Sequence, residues 1–142
     1  MQSFQDLIDD FAFLDDWEDR YRYVIELGRE LPEMDDADKT EVNKVRGCAS
    51  QVWLTTNRSG DPGNPQLTFA ADSDALIVKG LIAILLALFS GKTAREIMQT
   101  DALSMLGEVQ LQENLSRQRA NGLASMVQRI HAEAKASMEP AS

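Results

Sequence analysis

The run Leu81-Ile82-Ala83-Ile84-Leu85-Leu86-Ala87-Leu88-Phe89 is apolar at all nine positions. A helix of that sequence has no polar face to turn toward water, so other elements must surround it. Spanning a bilayer takes ~20 such residues, which leaves burial at the centre of a globular fold. Asp72-Ser73-Asp74 ahead of the run offers capping side chains and Gly91 behind it a stop, predicting a helix from about Ala75 to Phe89. Lys79 and Gly80 interrupt its first turns. Glycine in mid-helix costs ~1 kcal/mol relative to alanine, which predicts close packing against a neighbour. Lys79 is expected to snorkel to water or find a partner.

The residues around this element fall into two periodicities. Ser3 with Asp6 reads as a helix start, followed by Phe4, Leu7, Ile8 and Phe11 at helical spacing. Asp15 and Asp16 offer a cap for a second helix, with the stripe Trp17, Tyr21, Val24, Ile25, Gly28 and Leu31, ended by Pro32. Residues Glu33 to Glu41 have no periodicity and predict a loop holding one helical turn at most. The period then drops to two. Val52, Leu54 and Thr56 alternate with Trp53, Thr55 and Asn57. A dense turn signal from Ser59 to Pro65 precedes a second alternation through Leu67, Phe69 and Ala71, predicting a hairpin. Asn43 to Arg46 has room for a short third strand.

Beyond the apolar helix, Thr93 with Glu96 forms a capping box and Thr100 or Asp101 caps a further short helix closed by Gly107. A polar loop, Glu108 to Asn114, leads to a last helix from about Ser116 to Ser137 with the stripe Leu123, Met126, Val127, Ile130 and Ala134. The whole predicts an α+β fold: a small antiparallel sheet of two to three strands packed against helices, in a single domain over residues 1–142.

Charge and cysteine count narrow the function. The 142 residues carry a net charge of −9, and residues 1–41 alone hold 14 acids against 4 bases. Nucleic acid selects basic faces, so it is not the expected partner. An acidic flank suits solubility, or the steering of a basic partner. With one cysteine there is no internal disulfide, and an N-terminus that is acidic from the start is not the pattern of a signal peptide. These features predict a cytoplasmic protein with no membrane partner. One cysteine and one histidine, His131, fall short of the four ligands of a structural zinc and the several thiolates of an iron–sulfur scaffold, so no metal site is expected.

The chemistry left is that of Cys48, in Val45-Arg46-Gly47-Cys48-Ala49-Ser50-Gln51-Val52-Trp53. Most lone cysteines are small buried hydrophobes. This one follows a glycine able to turn the backbone sharply and precedes the first strand, which suits a loop. Arg46 beside it would favour the thiolate, the reactive form of the side chain, and Ser50 could hydrogen-bond a sulfur anion.

Arg46-Gly47-Cys48-Ala49-Ser50-Gln51-Val52-Trp53 resembles the active loop of the SufE family, the sulfur acceptors for cysteine desulfurases. Asp72-Ser73-Asp74-Ala75 with Ile77-Val78-Lys79-Gly80-Leu81 resembles the family's second signature, Arg119 with Asn121-Gly122-Leu123 its third, and Trp17 to Pro32 its N-terminal helix. The resemblance runs from about Phe4 to Ala136. It departs at Ala71, where the family often has glycine, at Arg117, where it often has proline, and in a long turn from Arg58 to Pro65.

The resemblance implies a fold like the iron–sulfur scaffolds of the IscU type. It implies a catalytic Cys48 that accepts sulfane sulfur as a persulfide, with Arg46, Gly47, Ser50, Asp74 and Arg119 in support. Its partners would be a SufS-like or related cysteine desulfurase, which the protein stimulates, and a SufBCD-like iron–sulfur scaffold complex that receives the sulfur. No cofactor is expected on this chain, and pyridoxal phosphate is expected on the desulfurase. Monomer and homodimer both stay open. Three other readings also stay open: a non-catalytic adaptor that binds and activates a desulfurase, an iron–sulfur assembly scaffold, and a thiol peroxidase.

Overall fold

The computed structural model of the chain describes residues 3–47, 50–107 and 116–138. Helix α1 (Phe4–Ala12) opens with a reciprocal cap: the Ser3 hydroxyl accepts from the Asp6 amide, and the Asp6 carboxylate accepts from the Ser3 amide. It buries Phe4, Leu7 and Phe11. Asp16 caps helix α2 (Trp17–Glu30) by accepting from the Glu18 and Asp19 amides. The corner between the two is closed by Arg20 Nε, which donates to the Leu14 carbonyl at 2.8 Å. Tyr23 reaches back from α2 to α1, its hydroxyl donating to Asp10 and its ring standing edge-on to Phe11. Burial first, and then that bond to a carboxylate, push the Tyr23 phenol well above its ordinary value.

After Leu31-Pro32 the chain makes a single 3₁₀ turn at Asp36–Asp38 within the stretch read as a loop. Strands β1 (Val52–Ser59) and β2 (Gln66–Ser73) form an antiparallel hairpin in register from Val52↔Ser73 to Ser59↔Gln66. Val52, Leu54, Leu67, Phe69 and Ala71 are buried. β1 runs on to Ser59, past the last alternating residue, because backbone pairing across a hairpin continues where side-chain burial has ended. The third strand is reduced to one bridge, Lys44↔Trp53.

Helix α3 (Leu76–Phe89) lies at the centre of the core, against α1, α2, β2 and the last helix: Leu81 to Leu86, Leu88 and Phe89 are all buried. It crosses α2 at two glycines. A Cβ on Gly28 would lie 2.8 Å from both the Gly80 amide nitrogen and the Leu76 carbonyl oxygen, and a Cβ on Gly80 would run into the Val24 carbonyl. That contact is why glycine stands in mid-helix at 80.

One expectation is corrected. Asp72-Ser73-Asp74 does not cap α3. The N-cap is Ala75, with no side-chain cap bond, and the helix starts one residue later than expected. β2 carries through to Ser73, so the pleat aims these polar side chains at neighbouring segments instead of at the helix end. Ser73 Oγ accepts from the Ala75 amide at 3.2 Å, one residue short of the helix proper.

Thr93 and Glu96 form the expected reciprocal cap on α4 (Ala94–Gln99), and bonds from the Thr93 amide and hydroxyl hold the Glu96 carboxyl below the ordinary range. Asp101, not Thr100, caps α5 (Ala102–Gly107), accepting from the Ser104 amide at 3.2 Å. The polar loop Glu108 to Asn114 lies outside the described residues. Helix α6 (Arg117–Met138) packs on α4 and α3 through Leu123, Met126, Ile130 and Ala134. Among the described residues no helix is long and apolar enough to cross a membrane.

Candidate functional site

Antiparallel pairing closes a short loop around the lone cysteine. The Val45 amide donates to the Val52 carbonyl and the Leu54 amide to the Asn43 carbonyl, both at 2.8 Å, on either side of the Lys44↔Trp53 bridge. Residues 46–51 therefore connect two paired positions. Cys48 and Ala49 lie outside the described residues.

Gly47 has φ +89°, the left-handed region that side chains disfavour, and a Cβ there would collide with Ser125 Oγ on α6. The backbone turn and the approach to α6 both require glycine at this position. At the other end Asp74 holds Gln51 from both sides: Asp74 Oδ1 accepts from the Gln51 amide at 3.0 Å, and the Asp74 amide donates to the Gln51 carbonyl at 3.3 Å. Asp74 is thus a loop-holding residue.

Behind the loop is a cavity of about 170 Å³ between β1, α3 and α6. Ser50, Val52, Ile77, Leu81, Arg119 and Met126 are among the residues that line it. Most of its lining residues are apolar, and Ser50, Gln118 and Arg119 are the polar ones among them. Arg119 is exposed and stands in the first turn of α6, where its amide donates to the Ser116 hydroxyl. Gly122, one helical turn on, lines the same cavity. A largely apolar recess with an arginine among its lining residues suits a polarisable anion such as a thiolate or persulfide, which needs less hydration than an oxyanion.

The sequence-predicted residues therefore divide. Ser50 and Arg119 share the cavity, Gly47 abuts α6 and Asp74 ties the loop's end. Arg46 turns elsewhere: its guanidinium pairs with Glu41 at 3.2 Å, with both side chains three-quarters exposed. His131 is half-buried, edge-on to Phe89, and lines a separate depression with Met98 and Asp101.

The sequence reading missed a buried charge cluster on the strand that precedes Asp74. Asp72 is 2% exposed and accepts from the Met34 amide at 3.2 Å and the Ser73 amide at 2.8 Å. Lys79 Nζ stands 3.3 Å and Lys39 Nζ 3.6 Å from its oxygens. Burial raises the Asp72 carboxyl, but the two amides and the Lys79 ammonium outweigh it and hold the group below its ordinary value. Lys39 also lies over the Trp53 ring, 5.4 Å from its centroid. The cluster fastens the segment after α2 to β1, β2 and α3, on the strands that carry the loop. Residue spacing held no sign of it, because Lys39 comes from thirty-three residues earlier in the chain and Lys79 reaches Asp72 only once α3 has packed beside β2.

Residues 5–134 match the family model described as "SufE: Fe-S metabolism associated domain". The chain belongs to the SufE family. It is 62% identical over 135 residues to an uncharacterized SufE-like protein of Rhizobium meliloti, covering 95% of this chain and 96% of that one. It is equally identical over 135 residues to an uncharacterized SufE-like protein of Rhizobium etli, covering 95% and 91%. Its fold matches the solution structure of a hypothetical protein from Thermus thermophilus, with a TM-score of 0.74 at 17% identity over 95% of each chain. The SufE domain ties the chain to iron–sulfur metabolism. The segments that carried the resemblance, Trp17 to Pro32, the Cys48 loop, the start of α3 and the start of α6, all fall within the matched residues.

Proposed function

We propose that this SufE-family chain is a single-domain, cytoplasmic sulfur acceptor whose working group is Cys48. The Cys48 thiolate attacks the outer sulfur of a persulfide on a pyridoxal-phosphate cysteine desulfurase. A new S–S bond forms on Cys48 as the old one breaks, and the desulfurase cysteine leaves as its thiolate, with no net oxidation. The bound sulfur then passes to a SufBCD-like iron–sulfur scaffold complex. Clearing the desulfurase of its persulfide returns that enzyme to its cycle, so the carrier stimulates it.

The observation that supports this reading most is the convergence on one short loop. Gly47, Ser50, Asp74 and Arg119 belong to segments that meet around residues 46–51, beside an apolar cavity of about 170 Å³. A transferred sulfur needs a thiolate that can be offered to a partner and then kept from reductants. A loop closed at its base and backed by a recess serves both ends. In this reading Arg119 stabilises the sulfur anion or contacts the desulfurase, Ser50 hydrogen-bonds the anion, and Gly47 and Asp74 hold the loop, while Arg46, paired with Glu41, has no direct part.

The test is mass spectrometry of the protein after incubation with a desulfurase and cysteine. The Cys48 peptide should gain one sulfur, about 32 Da. Cys48→Ser should take up none while keeping its fold and its affinity for the desulfurase. Uptake of labelled sulfur by that variant would refute the proposal, and full desulfurase stimulation by Cys48→Ala would favour an adaptor.

A further inference from the structure

Building on the acceptor reading, we propose that Arg129 is a positioning residue for the Cys48 loop, acting through the backbone of the segment that leads into it. Arg129 lies on α6, and its planar guanidinium donates in three directions. Nη2 bonds the Val42 carbonyl at 2.9 Å, Nη1 the Lys44 carbonyl at 3.2 Å and Nε the Glu133 carboxylate at 3.1 Å. The other Glu133 oxygen pairs with Arg58 of β1 at 3.3 Å, and Arg58 Nε donates to Ser137 Oγ at 2.6 Å. The guanidinium is thus braced from behind while its two forward donors grip the backbone.

What they grip matters. Residues 43–45 join the hairpin through one bridge and two backbone bonds, short of a strand. Carbonyls on such an edge segment would otherwise turn to water and let it swing. Arg129 fixes two of them, two residues apart, and so sets the direction in which the chain leaves Val45 for Arg46 and Gly47. Val42 is thereby displayed to solvent at 81% exposure. Ser125, one helical turn before Arg129, meets the same loop at Gly47, and Met126 lines the cavity. One face of α6 therefore sets stem, loop and recess at fixed spacing. Lysine cannot substitute, because a single ammonium on a flexible stem does not reproduce two donors held at a fixed separation in one plane.

The test measures sulfur uptake from a desulfurase charged with radiolabelled cysteine, for the wild type, Arg129→Lys and Arg129→Gln, each checked for folding by circular dichroism. Both variants should lose ~10-fold in the second-order rate constant for uptake, since misplacing a reacting group by a fraction of an ångström costs that order. The Val45 and Leu54 amides should exchange hydrogen faster while those of α2 and α3 keep their rates. The pH profile of Cys48 alkylation by iodoacetamide should not move, because Arg129 acts on the backbone and not on the thiol. Wild-type uptake by Arg129→Lys, uptake by both variants within about twofold of wild type, slow uptake with unaltered Val45 and Leu54 exchange, or a shifted alkylation profile would each overturn the assignment. If the wild type itself acquires no sulfur on Cys48, the acceptor reading fails and this inference with it. If the wild type acquires sulfur and the variants match it, only the role of Arg129 fails.

Discussion

Replacing Gly80 by alanine sets two effects against each other. Alanine in a helix interior is favoured over glycine by ~1 kcal/mol, so on propensity alone the change stabilises. The added Cβ, however, would sit inside contact distance of the Val24 carbonyl group and 2.5 Å from Val24 Cγ1. The carbonyl is backbone in the middle of α2 and cannot rotate aside. To restore ordinary contact, α2 and α3 must part by roughly 1 Å, and a gap of that size forfeits a quarter to a half of each dispersion contact along the interface. Overpacking of this kind costs ~3 kcal/mol at the upper end of the usual range, which leaves a net loss of ~2 kcal/mol. At this chain length that lowers Tm by about 6–10 °C. Urea or thermal unfolding followed by circular dichroism measures it. Gly107→Ala is the matched control, since a Cβ there meets nothing within 4 Å, and it should be neutral or slightly stabilising. A Gly80→Ala protein as stable as the wild type would refute the claim that the two glycines set the α2–α3 spacing.

Asp72→Asn should cost ~2–3 kcal/mol, below the usual figure for breaking a buried pair because Lys39 and Lys79 still reach solvent; chemical denaturation at neutral pH checks it. Because the folded Asp72 carboxyl is held below its unfolded value, its contribution is complete above about pH 4 and disappears as pH falls through the folded value, so the wild type's stability advantage over Asp72→Asn should shrink only on acidification below that point. Asp74→Asn keeps one acceptor for the Gln51 amide but loses its charge, and Asp74→Ala loses both. Desulfurase stimulation should fall in the order wild type, Asn, Ala at matched stability, and equal stimulation by all three would leave Asp74 a purely structural residue. If the acidic first 41 residues steer the desulfurase, raising salt from about 0.05 to 0.5 M, roughly a threefold shortening of the screening length, should weaken the complex measured by calorimetry.

Much of the fold follows from local rules that need no partner. Ser3, Asp16 and Thr93 cap their helices because a short oxygen side chain ahead of a helical run has a free amide within reach. The hairpin follows from the change of period between Val52 and Ala71, and burial of α3 from the absence of any polar face. The sharp turn at Gly47 was legible from the glycine and its place before a strand. What local rules cannot supply is where a polar side chain points once its strand has been placed. Asp72, Ser73 and Asp74 read as a cap by spacing alone. Only the placement of β2 and of the turn that follows it sends Asp72 to two lysines and Asp74 to Gln51, because those partners are brought in by other elements, Lys39 and Gln51 from far along the chain and Lys79 from α3. The cavity and the grip of Arg129 on Val42 and Lys44 belong to the same class. They depend on α6 lying against a loop some eighty residues earlier in the chain, a relation between surfaces that no residue spacing encodes.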